Sequence, residues 1–373
     1  MNSLPDSRGR GIFILFLAVL TLGLTNPAAA GFESRGIEEI WSVSAFGESD
    51  YFFRPSDITV DPALERIYVA DSGNHRIAVF DFEGKYIYSI GREGQGPGEF
   101  LRPTGICLLP DSGLAVADFG NTRIQIFDRD GEFMKVITTH GLKAADLIMH
   151  DGLFYTIPSF GDSGFALNLR SEETSQPLLT VIDLEGGRVR DFAVDDFPEN
   201  QPFIRSLKHS VCMALSPQGT FYLPYRYKNL IQVFDFEGKK LTEFDRPLPF
   251  KPITPKLESQ QTDGDVVRMS ASLDEVSPAA QFGPDGRLFV LTYTASFHKL
   301  IDGAKDMENR PPFPMRIDVI DPKNHKSVDS IACDPNLLAF SVMDRNRLVY
   351  ICEDPEAELV MKCIRLRVRK DGR

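Results

Sequence analysis

Three observations predict an all-β chain: a six-bladed β-propeller of four-stranded blades, with an N-terminal strand closing the last blade. The stretch "VADSGNHRIAVFDFEGK" (69–85) returns as "VADFGNTRIQIFDRDGE" (116–132). The offset of 47 residues lays Asp71 on Asp118, Gly73 on Gly120, Asn74 on Asn121, Arg76 on Arg123, Phe80 on Phe127 and Gly84 on Gly131. A shorter phrase, two apolar residues followed by Asp-x-x-Gly, recurs as "VFDFEG" at 79, "IFDRDG" at 126, "VIDLEG" at 181, "VFDFEG" at 233 and "VIDPKN" at 319, with an eroded copy, "IRLRVR", at 364. Runs such as "RIYVAD", "RIAVFDF" and "KYIYSIG" are rich in β-branched and aromatic residues and are divided by Gly, Asp, Asn and Pro turns. A period of about 40 to 50 residues built from short strands is the period of propeller blades.

The elements follow in order. Arg8 and Arg10 precede the apolar run "IFILFLAVLTLGLT", and Ala28-Ala29-Ala30 then offers a small-residue cleavage site, so residues 1–30 read as a signal peptide and 31–373 as one propeller domain. The apolar run is shorter than the ~20 residues of a membrane span, and no Cys follows the site to take a lipid. Blades are expected at 53–91, 101–138, 144–194, 209–245, 276–331, and 332–368 joined by 37–46. The join is read from "SVSAFGESDYFFRPSDI" (42–58), a short parallel of "YSIGREGQGPGEFLRPTGI" (88–106), which makes 37–46 an outer strand without a blade of its own. Supplying it to the sixth blade removes a free sheet edge.

At "DSGNHRIAVFD" and "DFGNTRIQIFD", each preceded by "RPxxI" and an apolar strand, the sequence resembles NHL repeats, the blades of six-bladed β-propellers. The resemblance covers residues 53–137 closely and the remainder in register. It implies the fold and leaves the chemistry open, because folds of this kind host many activities.

Composition narrows the function. The formal charge is −12, and losing residues 1–30, with Arg8, Arg10 and Asp6, makes the domain one unit more acidic, which disfavours nucleic acid as a partner. Cys107, Cys212, Cys333, Cys352 and Cys363 show no CxxC spacing and read as free core thiols, with at most one bridge among the last three. The expected location is extracytoplasmic, secreted or periplasmic.

Antiparallel order puts the turns between second and third strands, and the crossovers between blades, on one face. All four long inserts fall there: 158–177, 195–209, 246–275 and 295–314. Loops of this length often carry function. The blade-four turn "YRYK" replaces turn formers with Tyr225, Arg226 and Tyr227, residue types that anchor interfaces, although the same turn would also serve as packing beneath the 246–275 insert. With Arg92, Arg102, Arg205 and Lys208 these residues form the candidate ligand-binding set for a protein, peptide or glycan. The Asp, Asn and Arg of the doubled phrase read as turn chemistry.

The alternative is a divalent-metal-dependent hydrolase or lyase. Some six-bladed propellers are metal-dependent lactonases or amidating lyases with ligands where the innermost strands open into the channel, and the resemblance would place them here at Asp57, Asp146 and His209, with Ca or Zn as the cofactor. No HxH or HxxxH pair and no G-x-S-x-G occurs, and "GQGPGEF" (94–100) lacks the Lys-Ser/Thr and helix of a phosphate loop, so no catalytic set is assigned. The reading is a binding propeller without catalysis.

Overall fold

Each Asp-x-x-Gly copy closes a hairpin, and the reason lies in its two named residues. The Asp81 carboxylate accepts the backbone N–H groups of Glu83 and Lys85 (3.1 and 2.8 Å), while Gly84 takes φ +80°, a conformation that side chains disfavour. Asp128, Asp183 and Asp235 do the same beside Gly131, Gly186 and Gly238. In the fifth copy Asp321 accepts from Lys323 and His325 carries the positive φ. A bulge precedes each of these turns, between Val79 and Phe80, Ile126 and Phe127, Val181 and Ile182, Val233 and Phe234, and Val319 and Ile320.

The computed structural model describes residues 35–47, 50–159, 176–195, 204, 207–208, 210–263, 266–296, 312–354 and 359–367. Six four-stranded antiparallel sheets result. Blade one is Asp57–Asp61, Arg66–Asp71, Arg76–Asp81 and Tyr86–Ile90; blade two is Pro103–Leu108, Leu114–Asp118, Arg123–Phe127 and Phe133–Thr138. Blade three is Lys143–His150, Leu153–Ser159, Gln176–Ile182 and Arg188–Asp195; blade four is Ala214–Leu215, Phe221–Pro224, Ile231–Phe234 and Lys240–Phe244. Blade five is Ala280–Phe282, Leu288–Tyr293, Met315–Asp321 and Lys326–Ala332. The sixth sheet contains Leu337–Val342, Arg347–Cys352, Val360–Leu366 and the strand Ile37–Val43, which pairs antiparallel with Val360–Leu366 from Ile37↔Leu366 to Val43↔Met361.

The core is divided among the blade interfaces. Six apolar clusters each join two neighbouring sheets: Tyr68 with Leu114 between blades one and two, Ala117 with Phe154 between two and three, and Phe192 with Phe221 between three and four. Tyr222 packs with Leu288 between four and five, Ile317 with Leu348 between five and six, and Ile351 with Ile67 between six and one. The last of these closes the ring, and Trp41 of the N-terminal strand seals it by donating its indole N–H to the Phe82 carbonyl (2.9 Å).

One insert has more order than its composition suggests. Lys256–Asp263 and Val266–Ser272 pair as a hairpin inside the 246–275 crossover. The other three inserts lie largely outside the described residues.

Candidate functional site

The doubled phrase is a latch. Asp71 is fully buried; its carboxylate accepts the N–H of Phe53 in the preceding crossover (2.8 Å) and the side chains of Asn74 and Arg76 (2.9 and 3.0 Å). Arg76 reaches on to Asp50 (2.9 Å). Blade two repeats the arrangement: Asp118 accepts from Leu101 N–H, Asn121 and Arg123 at 2.7, 2.8 and 2.7 Å, and Arg123 donates to the carbonyls of Gln95, Gly96 and Glu99. The turn residues thus fasten the crossover above them. In blade five the polarity reverses. Crossover residue Arg246 is buried against Asp318 (3.0 Å), with Ser277 (2.5 Å) and Thr292, and Thr292 occupies the place of Asp71.

The blade-four turn packs under the insert. Tyr225 is fully buried in the cluster between blades three and four and donates its hydroxyl to Gln232 (3.0 Å), with Lys228 Nζ 4.8 Å from its ring centroid. Tyr227 is buried with Ile204 and Leu207, against Leu257 and Leu273 of the insert. Neither tyrosine presents a surface to a ligand. Arg226 lies between them with its side chain 38% exposed and holds Glu275 at 2.6 Å. Burial opposes its charge, but the Glu275 carboxylate keeps the guanidinium firmly protonated.

Among the described residues the remaining cations do not gather into one patch. Arg92 pairs with Glu99 (2.9 Å), Arg102 lies over the Phe119 ring (5.5 Å), and Lys208 is half-buried next to Leu207. Arg205 and His209 lie outside the described residues.

What the ring brings together is the start of the inner strands. Ile58 pairs with Val69, Ile106 with Val116 and Leu147 with Thr156, so the residues just before them, Asp57, Gly105 and Asp146, occupy one equivalent position in three successive blades. Extending the Ala214↔Tyr222 register of blade four puts Cys212 there too. A Cβ on Gly105 would stand 2.9 Å from Asp146 Cα, so glycine is what lets blades two and three approach this closely. Asp57 spans the gap from the other side, accepting Ile106 N–H at 2.8 Å as well as its neighbour Ile58 N–H, and Asp146 accepts Leu147 N–H at 2.8 Å.

Asp57, Asp146 and Cys212 line a cavity of about 630 Å³ that runs along the inner strands, to which all six blades contribute. Burial raises Asp57 from 3.8 to about 6; burial and then the Asp57 charge raise Asp146 to about 7. Near neutral pH Asp146 is therefore partly protonated. Burial pushes the Cys107 and Cys212 thiols up to about 12, so neither is a thiolate at neutral pH, and Cys212 donates to the Ser277 carbonyl (3.0 Å). All five cysteines are free in the structure.

For a divalent metal, the described donors at this position are two carboxylates, Asp57 accepting backbone amides on both oxygens and Asp146 on one. Calcium takes six to eight oxygens and catalytic zinc about three protein ligands, and among the described residues no group of three or more His, Cys, Asp or Glu could hold an ion. Asp57 and Asp146 do not amount to a metal centre by themselves.

Sequence reasoning missed the equivalence of Asp57, Asp146 and Cys212, because "ADLI" and "HSVC" each stand one residue out of step with "PSDI" and "PTGI", and only the strand register shows it. It also missed Glu275 and Arg246, isolated charges in a loop whose partners lie 49 and 72 residues away.

Comparisons agree with this architecture. A family described as a 6-bladed beta-propeller matches residues 55–163. Protein brain tumor of Drosophila melanogaster is 37% identical over 62 residues, 17% of this chain and 6% of the fly protein. Peptidyl-glycine alpha-amidating monooxygenase of Mus musculus is 32% identical over 74 residues, 18% of this chain and 8% of the mouse protein. The chain therefore spans less than a tenth of either relative. A solved structure of a member of the duf4221 family from Bacteroides vulgatus superposes with a TM-score of 0.56 at 10% identity, covering 90% of this chain and 99% of that one, a likeness of fold. Among the described residues no helix is long and apolar enough to cross a membrane.

Proposed function

We propose that this six-bladed propeller is an exported, non-catalytic binding protein with NHL-type blades that takes a protein, peptide or glycan ligand at the crossover-face mouth of its central channel. The observation that carries the reading is the cavity of about 630 Å³ where the blades converge, with the Asp57 and Asp146 carboxyls at its wall. A concave site with a few converging polar groups whose proton affinities are shifted is where a ligand is expected. The latches beneath the crossovers support it, because preorganised loops lose little entropy on binding. Export rests on the signal-like residues 1–30, with an extracytoplasmic mature chain starting at Gly31.

The test is to screen the purified chain against peptide and glycan arrays and repeat the screen with Ala279→Phe, which fills the cavity from blade five. Ligands retained by the wild type and lost by the filled variant are expected. A filled variant that keeps every ligand refutes the channel site. N-terminal sequencing of exported material checks the start at Gly31.

A further inference from the structure

We propose that the ligand is a cationic peptide segment, with a lysine or arginine side chain seated in a side pocket that adjoins the channel mouth. This deepens the channel reading and rests on it. The second cavity, about 230 Å³, is lined by Glu275, Tyr293, Phe313, Asn336, Leu338 and Glu353 among others. Leu338, 40% exposed, lines both cavities, so they meet at its side chain. Arg226 lines the channel and Glu275 the pocket, and their ion pair stands at the junction.

The balance of charge selects the ligand. Arg226 is the cation lining the junction, and Glu275 already neutralises it. Tyr293 lines the same pocket as that carboxylate. Asp57, Asp146 and Glu353 have no Lys or Arg ion-pair partner among the described residues, so the joined cavities carry carboxyl groups in excess of cations, in a protein whose overall charge is −12. An anionic ligand would add to that repulsion, whereas an ammonium or guanidinium relieves it.

Shape adds the rest. Tyr293 and Phe313 meet edge to face at 6.0 Å and 88°, giving the side pocket an aromatic wall suited to the alkyl stem and charged head of Lys or Arg. In an extended peptide, side chains two residues apart leave the same face about 7 Å from one another. One such side chain would enter the side pocket while the next extends past Leu338 into the channel.

The experiment uses fluorescein-labelled Gly-Lys-Gly-Lys-Gly, its Nε-acetylated counterpart, Gly-Glu-Gly-Glu-Gly, a chitosan tetramer as competitor, and calcium chloride, read by anisotropy with the full chain. The lysine peptide is expected to bind at least about tenfold more tightly than the acetylated one, and Glu353→Gln and the double variant Asp57→Asn with Asp146→Asn are each expected to weaken it about fivefold to tenfold with unchanged circular dichroism. Equal binding of the two peptides overturns the proposal. So does wild-type affinity in both carboxamide variants, or binding of chitosan or calcium without the lysine peptide. If Ala279→Phe abolishes a ligand that the carboxamide variants keep, the channel reading stands and the cationic one falls. If Ala279→Phe changes nothing, both fall.

Discussion

Replacing Asp146 with asparagine removes a charge from the channel wall yet keeps an oxygen to accept the Leu147 amide, which Asp146 holds at 2.8 Å. Burial, followed by the Asp57 carboxylate, raises Asp146 from 3.8 to about 7. The folded chain then holds that proton about three units more tightly than the unfolded one, about 4 kcal/mol at 1.36 kcal/mol per unit. Relaxation of the surroundings around the charged carboxylate offsets part of this, and about 1–2 kcal/mol is the expected effect. The pKa is higher in the folded state, so the protonated carboxyl contributes full stability below about pH 4, and that contribution is lost as pH rises through 7. Asp146→Asn should therefore match the wild type near pH 4 and exceed it by about 1–2 kcal/mol at pH 8. Urea unfolding at pH 4, 6 and 8, followed by Trp41 fluorescence, measures the difference. A gap that is constant with pH, or larger at pH 4, refutes the account of the carboxyl pair.

Two further outcomes test the scaffold. Asp118→Ala strips the acceptor from Leu101 N–H and Asn121 and leaves the Arg123 guanidinium, 12% exposed, without its carboxylate; a loss of about 3–5 kcal/mol by denaturant titration is expected, and an unchanged midpoint would show that the latch is idle. Lys362 holds Asp334 at 2.8 Å, Asp354 at 3.5 Å and Glu39 of the N-terminal strand at 3.7 Å, so Lys362→Met should lower stability by about 1–2 kcal/mol and expose Ile37–Val43 to protease first. Cleavage at the wild-type rate and site counts against that role.

The scaffold was legible because its signals are local. Asp81 caps a turn only four residues long, and Gly84 supplies the one backbone angle that turn needs, so both leave a mark at fixed spacing in every blade that keeps them. Blade boundaries follow from those marks. The candidate site was only partly legible. Asp57 and Asp146 stood out as carboxyls at inner-strand starts, but Tyr225 and Tyr227, conspicuous in sequence, are buried supports. Arg226 is bound to a glutamate 49 residues away.

By itself, then, the sequence determined the period, the number of blades, the hairpin chemistry and the face on which the chain becomes irregular. Each of these is written within a few residues and repeated. Tertiary structure alone decided that Asp57, Gly105, Asp146 and Cys212 share one ring position, that Arg226 is neutralised by Glu275, and that Tyr225 and Tyr227 are buried supports. Those facts depend on sheet register across bulges and on pairs brought together by ring closure, where a one-residue shift changes which side chain faces the axis.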